Sequence, residues 1–447
     1  MGLFDAFRKK PEETAQAADQ PAAAAEPAVS PVASESTQPA GSVATPPQDI
    51  IQDVQPAPAA PEAPMGSPEA MPVIEPAEAP AIAAVPAETS AEPIAVAPTP
   101  VATEAPAEAP APANPANVLV IGDIFTDAFI QLPEGSAKVI KEADGREWLA
   151  LPFGQKPPYD HVDIVRSVGP SPNAAVSMAR LGLHPSLMAW VGDDAVGVEA
   201  IQHLQEENVS TDTMVTEAGN KTSYWYVLRY GADRTMLVKS EKYKYEWQEP
   251  AVTPEWIYLA YIGEDSWPLH EKLADYLTRN PHVKFALQPG TFHWEWGTEK
   301  MAALYKNAYI TIMNREEAAD ATGKPLDAIH ELTAGLHALG PKIVIITDGP
   351  KGSYASYDGK VVTIPNYPDP APPLDRTGAG DAFASTIVSA LAQGKTMDEA
   401  LTWAPINSMS VVQKLGAQAG LLTPSEVQSY LAQAPADYVV TELPAGA

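Results

Sequence analysis

Cysteine is absent from the 447 residues, so a disulfide framework, a thiolate zinc site and a cysteine nucleophile are all excluded. Basic residues are scarce: 28 Lys and Arg stand against 57 Asp and Glu, a formal net charge of -29. A chain of that sign repels nucleic-acid phosphates, and we expect no nucleic-acid partner. No stretch of about 18 apolar residues occurs, so no transmembrane segment is expected. The Gly-x-x-x-x-Gly-Lys-Ser/Thr loop and the His-Glu-x-x-His zinc helix are missing as well. His330-Glu331 precedes His337 at the wrong spacing for such a helix, and the eight histidines are scattered.

One long segment lacks both aromatic and basic residues. Residues 11–116 hold 23 of the 47 prolines and 15 acidic residues, but no Lys, Arg, Phe, Tyr or Trp. Such a segment cannot bury enough apolar surface to offset its ordering entropy, and proline with self-repelling carboxylates keeps it extended. We read 1–116 as a disordered, acidic Ala/Pro/Glu-rich tail that solubilises rather than docks. Its first ten residues, ending Arg8-Lys9-Lys10, lack the apolar stretch of a signal peptide, and Ala6 stands where a myristoylation signal wants Ser or Thr. They are also short for a membrane-surface helix. We expect a cytoplasmic location. The second domain, 117–447, holds all nine Trp and all sixteen Tyr, enough for a sizeable core.

Within that domain short apolar runs end repeatedly in Gly, Asp or Asn. Residues 118–121 run into Gly122-Asp123, 187–191 into Gly192-Asp193-Asp194, and 257–262 into Gly263. Residues 285–287, 309–313 and 343–347 run into Gln288-Pro289-Gly290, Asn314 and Asp348-Gly349. These read as buried strands. Helical spacing lies between many of them, over 173–181, 198–207, 269–278 and 327–339. Strands alternating with helices give an α/β fold with a largely parallel sheet, whose ligands sit beyond the carboxyl ends of the strands. The aromatic-rich runs 222–230 and 234–240 flank Gly231-Ala232-Asp233 and predict a hairpin that covers a site or a partner subunit. A second hairpin is expected over 353–364, turning at Asp358-Gly359.

The sharpest chemical signal is Asp375-Arg376-Thr377-Gly378-Ala379-Gly380-Asp381, followed by a helical stretch over 382–391. Glycines just before a helix let backbone N–H groups approach an anion, where the positive end of the helix dipole favours it. Asp381 then stands in the first turn, placed to take a proton from a hydroxyl while the anion hole holds the phosphoryl group under attack.

These seven residues resemble the Asp-Thr-x-Gly-Ala-Gly-Asp signature of the ribokinase-like (PfkB) carbohydrate kinases, with Arg376 in place of the usual Thr. Other landmarks follow in the family's order. Gly122-Asp123 followed by Asp127 resembles the N-terminal strand. Gly169-Pro170-Ser171-Pro172-Asn173 resembles the Gly-Gly-x-x-x-Asn segment, with Pro170 replacing the second Gly. Residues 191–197 resemble the next block, and Asn314-Arg315-Glu316-Glu317 matches Asn-x-x-Glu. Residues 347–352 resemble the nucleotide-binding turn, and 401–416 the helix bordering adenine. The resemblance covers about 117–433, with 133–165 as an insertion.

The resemblance implies a three-layer α/β/α domain with a small β-sheet lid near 222–240. It implies Asp381 as general base and Gly378, Ala379 and Gly380 as the anion hole. Asp127, Gly169 and Asn173 would bind substrate. Asn314, Thr347, Gly349, Gly352, Arg376 and Asn407 would bind ATP, and Glu317 would serve Mg²⁺ through its bound water. ATP and Mg²⁺ are the implied cofactors; a monovalent cation is left open. The implied reaction is phosphorylation of a sugar hydroxyl. Two alternatives remain: a nucleoside kinase of the same fold, and a non-catalytic binder or scaffold. Homodimers through the lid are expected. His293-Trp294-Glu295-Trp296 either lines a pocket or packs.

Overall fold

The computed structural model describes residues 115–444, apart from 144 and 232, and every structural statement here concerns those residues. The segment read as a disordered tail lies outside them, except Pro115 and Ala116.

The chain enters with β1 (Asn117–Ile121) and β2 (Phe125–Gln131), then β3 (Lys138–Lys141), β4 (Glu147–Ala150) and β5 (His161–Val168), before α1 (Pro170–Arg180). Next come β6 (His184–Met188), β7 (Trp190–Gly192), α2 (Ala195–Glu206), β8 (Val215–Glu217), β9 (Tyr224–Tyr230) and β10 (Asp233–Leu237). Alternation then takes over with β11 (Trp256–Leu259), α3 (Trp267–Arg279), β12 (Lys284–Leu287), α4 (Thr291–Lys300), α5 (Ala302–Asn307), β13 (Ile310–Asn314), α6 (Arg315–Thr322), α7 (Ile329–Leu339) and β14 (Ile343–Thr347). The chain closes with β15 (Ser353–Tyr357), β16 (Lys360–Ile364), α8 (Ala379–Ala392), α9 (Met397–Val412), α10 (Pro424–Leu431) and β17 (Thr441–Glu442).

Nine strands form the central sheet in the order β17-β16-β15-β14-β13-β12-β11-β1-β6. From β6 to β14 the pairing is parallel; β15, β16 and β17 add an antiparallel edge. The parallel strands are apolar on both faces because each face is covered. Val118 and Val120 of β1 join a core with α1, α2, α8, α9 and α10, while Leu119 and Ile121 join a second core with α3, α5 and α7. This is the expected three-layer α/β/α arrangement. The β15–β16 hairpin turns at Asp358 and Gly359, both at positive φ (49° and 78°), as a two-residue mirror-image turn requires.

The run 187–191, read as one strand, is divided. β6 leaves the main sheet after Met188, and β7 pairs with β8 instead. The lid is also wider than the expected hairpin: a four-stranded sheet ordered β10-β9-β2-β5, with β9 running parallel to β2. The insertion boundary therefore moves. Residues 161–165 belong to β5, a lid strand paired with β2. The aromatic content of 148–159 hides this, because the alternation that marks a half-buried strand begins only at His161. Trp148, Phe153 and Tyr159 stand exposed on the surface.

β3 and β4 pair with each other and with no other strand, and their side chains are exposed or half-buried. Replacing residues 138–150 by a short Gly-Ser turn is therefore expected to change stability by about 0.5 kcal/mol or less, a shift of about 1–2 °C in Tm. A calorimetric loss of ten degrees would show that the hairpin supports the lid.

Candidate active site

The turn before α8 is built by Asp375. Its Oδ1 accepts hydrogen bonds from Thr377 N (3.0 Å) and Thr377 Oγ1 (2.8 Å), and its Oδ2 accepts from Gly416 N (3.1 Å). Gly378 then caps the helix at φ 79°, where a Cβ would lie 2.3 Å from Ala417 Cβ. Both the left-handed backbone and the contact demand glycine. Gly380 differs: a Cβ there would meet nothing within 4 Å, so it faces open space. A cavity of about 400 Å³ adjoins this turn, bordered by Thr347, Gly349, Gly352, Arg376, Ala379 and Gly380. Phe383, Pro405 and Met409 add its apolar wall. The first N–H groups of α8, which have no partner inside the helix, thus lie beside a cavity with a guanidinium in its lining.

Asp381 sits one residue further into α8 and is buried. Its Oδ2 accepts from Asn173 Nδ2 of α1 (2.9 Å), and its Oδ1 accepts from Gln288 Nε2, just past β12 (3.1 Å). Burial pushes this carboxyl above the ordinary aspartate value, and the two amides oppose the shift. Neither amide is free on its other side. Gln288 Oε1 accepts from the Tyr258 hydroxyl of β11, and Asn173 Oδ1 accepts from Gln418 Nε2 (3.1 Å).

Asp127 lies on β2 at a register irregularity, buried, with Oδ1 lacking any protein hydrogen bond. Burial raises its carboxyl to about 7, nearby Asp375 adds to the rise, and Arg234 opposes it. Arg234 comes from β10 of the lid and reaches Asp375 Oδ1 at 3.5 Å, an ion pair between the lid and the turn before α8. Trp225 is opposite Asp127 in the β2–β9 ladder, so both project to the same face of the lid sheet. Its ring stacks on Phe125 at 3.8 Å, and its Nε1 also lacks a protein partner. Asp123 is buried at the end of β1. Its Oδ2 accepts from the Tyr245 hydroxyl (3.0 Å), and burial lifts it to about 7. Gly169 starts α1 at φ 126°, and a Cβ there would lie 2.8 Å from Asp123 O. Pro170 occupies the first helical position, where its missing N–H is no loss.

Several expected residues occupy other places. Asn407 does not border the cavity: it is fully buried, donates to Thr386 Oγ1 (2.8 Å) and Ser177 Oγ, and accepts from Leu422 N (2.9 Å). Its amide is held inside the protein; Ser408 and Met409 line the cavity wall. Asn173 points to Asp381 and Gln418 with both ends of its amide engaged, so its place is behind the carboxylate. Asn314 and Glu317 form a reciprocal capping box at the start of α6: Asn314 Oδ1 accepts from Glu317 N, and Glu317 Oε2 from Asn314 N. Asn314 lies beside Thr347 in the β13–β14 ladder, one strand from the cavity wall. Burial raises the Glu317 carboxyl to about 7. His293 packs: its Nδ1 accepts from Gly290 N, and its Nε2 meets His270 Nε2 at 2.8 Å. Burial lowers both histidines, His270 to about 4, and keeps the pair neutral.

Sequence reasoning missed Gln288, Gln418, Tyr258 and Arg234, whereas Trp225 lies in the aromatic-rich run read as covering a site or a partner subunit. Gln288 alone carried a signal, its place at a strand end.

The family model described as pfkB family carbohydrate kinase matches residues 163–424. The ribokinase of Bacillus subtilis (strain 168) is 28% identical over 280 residues, which cover 59% of this chain and 87% of that protein. Among solved structures, Arabidopsis thaliana ribokinase complexed with ribose and ATP superposes with a TM-score of 0.58 at 19% identity, covering 71% of this chain and 99% of that one. The nucleoside kinase of Methanocaldococcus jannaschii, an archaeal member of the ribokinase family, gives 0.57 at 19% identity, covering 72% and 99%. The fold is therefore ribokinase-like. With a matching family model over more than half its length, the chain belongs to the pfkB family and is a carbohydrate kinase.

Proposed function

We propose that the enzyme transfers the γ-phosphoryl group of ATP to a sugar hydroxyl, with Asp381 as the general base. The observation that carries this reading is the position of Asp381: a buried carboxylate in the first turn of the helix whose N-terminal groups border the 400 Å³ cavity. A carboxyl raised by burial is a better proton acceptor than an exposed one, yet the two amide donors keep it available in its ionised form. The nucleotide lies along the cavity wall between Gly349, Gly352 and Arg376. The backbone N–H groups at Gly378, Ala379 and Gly380 receive charge as it develops on the transferred group.

The sugar lies under the lid. Asp127 Oδ1 accepts from one hydroxyl, Trp225 Nε1 donates to another oxygen, and the stacked Phe125–Trp225 pair supplies an apolar platform for a ring face. Arg234, bound to Asp375, holds the lid against the signature turn and excludes water. Among the described residues no three His, Asp or Glu side chains converge into a metal cage. This fits Mg²⁺, which is commonly held by substrate phosphates, water and one or two carboxylates. Glu317, a single carboxylate near the β13 end, would reach it through water, and the ion would offset charge on the phosphate oxygens.

The decisive experiment measures ADP release from Mg-ATP across pentoses, hexoses, phosphosugars and nucleosides. Turnover on a sugar is expected, and Asp381→Asn is expected to lower kcat by about 10²–10⁴ while ATP still binds. Undiminished turnover in that variant would overturn the base assignment, and turnover confined to nucleosides would transfer the reading to that substrate class.

The outer lid face exposes Val162, Ile164, Tyr226 and Leu237 together on adjoining strands. It supports a homodimer through the lid. Sedimentation should give twice the chain mass for the wild type and half of that for the Ile164→Glu, Tyr226→Lys double variant; equal masses would remove the lid as the interface.

A further inference from the structure

We infer that two side-chain relays, Tyr258–Gln288 and Gln418–Asn173, hold Asp381 in its working orientation and ionisation state, which makes Tyr258, Gln288 and Gln418 positioning residues of the reaction. This rests on the reading of Asp381 as the base.

An amide side chain has a donor end and an acceptor end, and each relay fixes which end faces the carboxylate. Tyr258 is fully buried, and burial holds its phenol neutral, so its hydroxyl remains a donor throughout the working pH range. It donates to Gln288 Oε1, which leaves Nε2 for Asp381 Oδ1. On the other side Gln418 Nε2 donates both to Ser167 O (2.7 Å) and to Asn173 Oδ1 (3.1 Å), while its Oε1 faces His203 Nε2 at 3.0 Å. Arg180 Nη1 binds Gln418 O at 2.7 Å, so the backbone of Gln418 is tied as well. Asn173 is thus left with Nδ2 toward Asp381 Oδ2. Reversal of either amide would set oxygen against carboxylate oxygen at about hydrogen-bond distance, where both atoms repel.

Two locked N–H donors favour the ionised carboxylate and oppose burial. Around Asp381, α1 contributes neutral Asn173, the segment after β12 contributes neutral Gln288, and β11 contributes Tyr258, whose phenol interacts with it electrostatically. His203 and Arg180 are connected to it through Gln418. Asp127, Asp375 and Arg234 act on one another across the substrate side.

The test is a pH titration of the Asp381 carboxyl by NMR in the full chain labelled with ¹³Cγ-aspartate. The resonance is identified by its loss in Asp381→Asn. Wild type, Gln288→Met, Tyr258→Phe and Gln418→Met are compared. Removing a donor disfavours the anion, so the midpoint rises: by about one pH unit in Gln288→Met, and by less in Tyr258→Phe and Gln418→Met. The acid limb of kcat/KM, measured with the sugar turned over best in the substrate panel, moves up by the same amount. Should Gln288→Met not fold, the other two variants decide. A midpoint unmoved within 0.2 unit, with activity lost only as a lower plateau, overturns the relay and leaves those side chains structural. The base assignment fails separately, through activity that survives Asp381→Asn.

Discussion

A carboxylate buried in the first turn of a helix is costly unless each of its oxygens is met by a donor, and much of the site's surroundings follows from meeting those of Asp381. The donors come from α1 and the loop after β12, and, behind them, from β11 and the segment after α9. The N-terminus of α8 itself favours negative charge nearby. The same helix start serves two purposes: its N–H groups border the 400 Å³ cavity, and its first turn carries Asp381. Gly378 allows both, because its left-handed backbone turns the chain sharply against Ala417.

On the substrate side the charges are unevenly balanced. Asp127 and Asp123 are both raised toward neutrality by burial, and the one guanidinium reaching Asp375 comes from the lid. Arg234 of β10 partly compensates the pair formed by Asp127, on lid strand β2, and Asp375, in the turn before α8. The lid and the turn before α8 are thus joined through one charged side chain.

How much of this was legible in the sequence depends on range. The strands, most of the helices and the β15–β16 turn were readable because their signals are local: apolar period, Gly at positive φ, Asp or Asn at helix starts. Asp381 and the Gly378–Gly380 turn were readable for the same reason, since the atoms that cooperate are neighbours along the chain. Asn407 and Asn173 illustrate the opposite case. A polar residue at the right place in a motif was expected to face ligand, whereas both ends of each amide are engaged by protein groups distant in sequence. Gln288 is 93 positions from Asp381, and Gln418 is 245 from Asn173; no spacing rule joins them. The insertion boundary failed for a different reason. Trp148, Phe153 and Tyr159 stand exposed before it, and the lid strand begins only where alternation does.

The segment after α9 shows why long-range contacts govern this site. Gly416 N binds Asp375, Ala417 lies against Gly378, Gln418 holds Asn173 and Ser167 O, and Leu422 N binds Asn407. Arg180 fixes the carbonyls of Gln418 and Leu421. Seven residues with no strand or helix of their own thus touch the signature turn, the base's supporting amide, the end of lid strand β5 and the helix beside the cavity. Asn407, by holding Leu422, fixes one end of this segment, as Asp375 fixes the other. Asp381, through Asn173, and the end of lid strand β5 are tied to the same stretch of backbone, which also places Leu421 and Leu422 in the first core, so a disturbance there would reach all three.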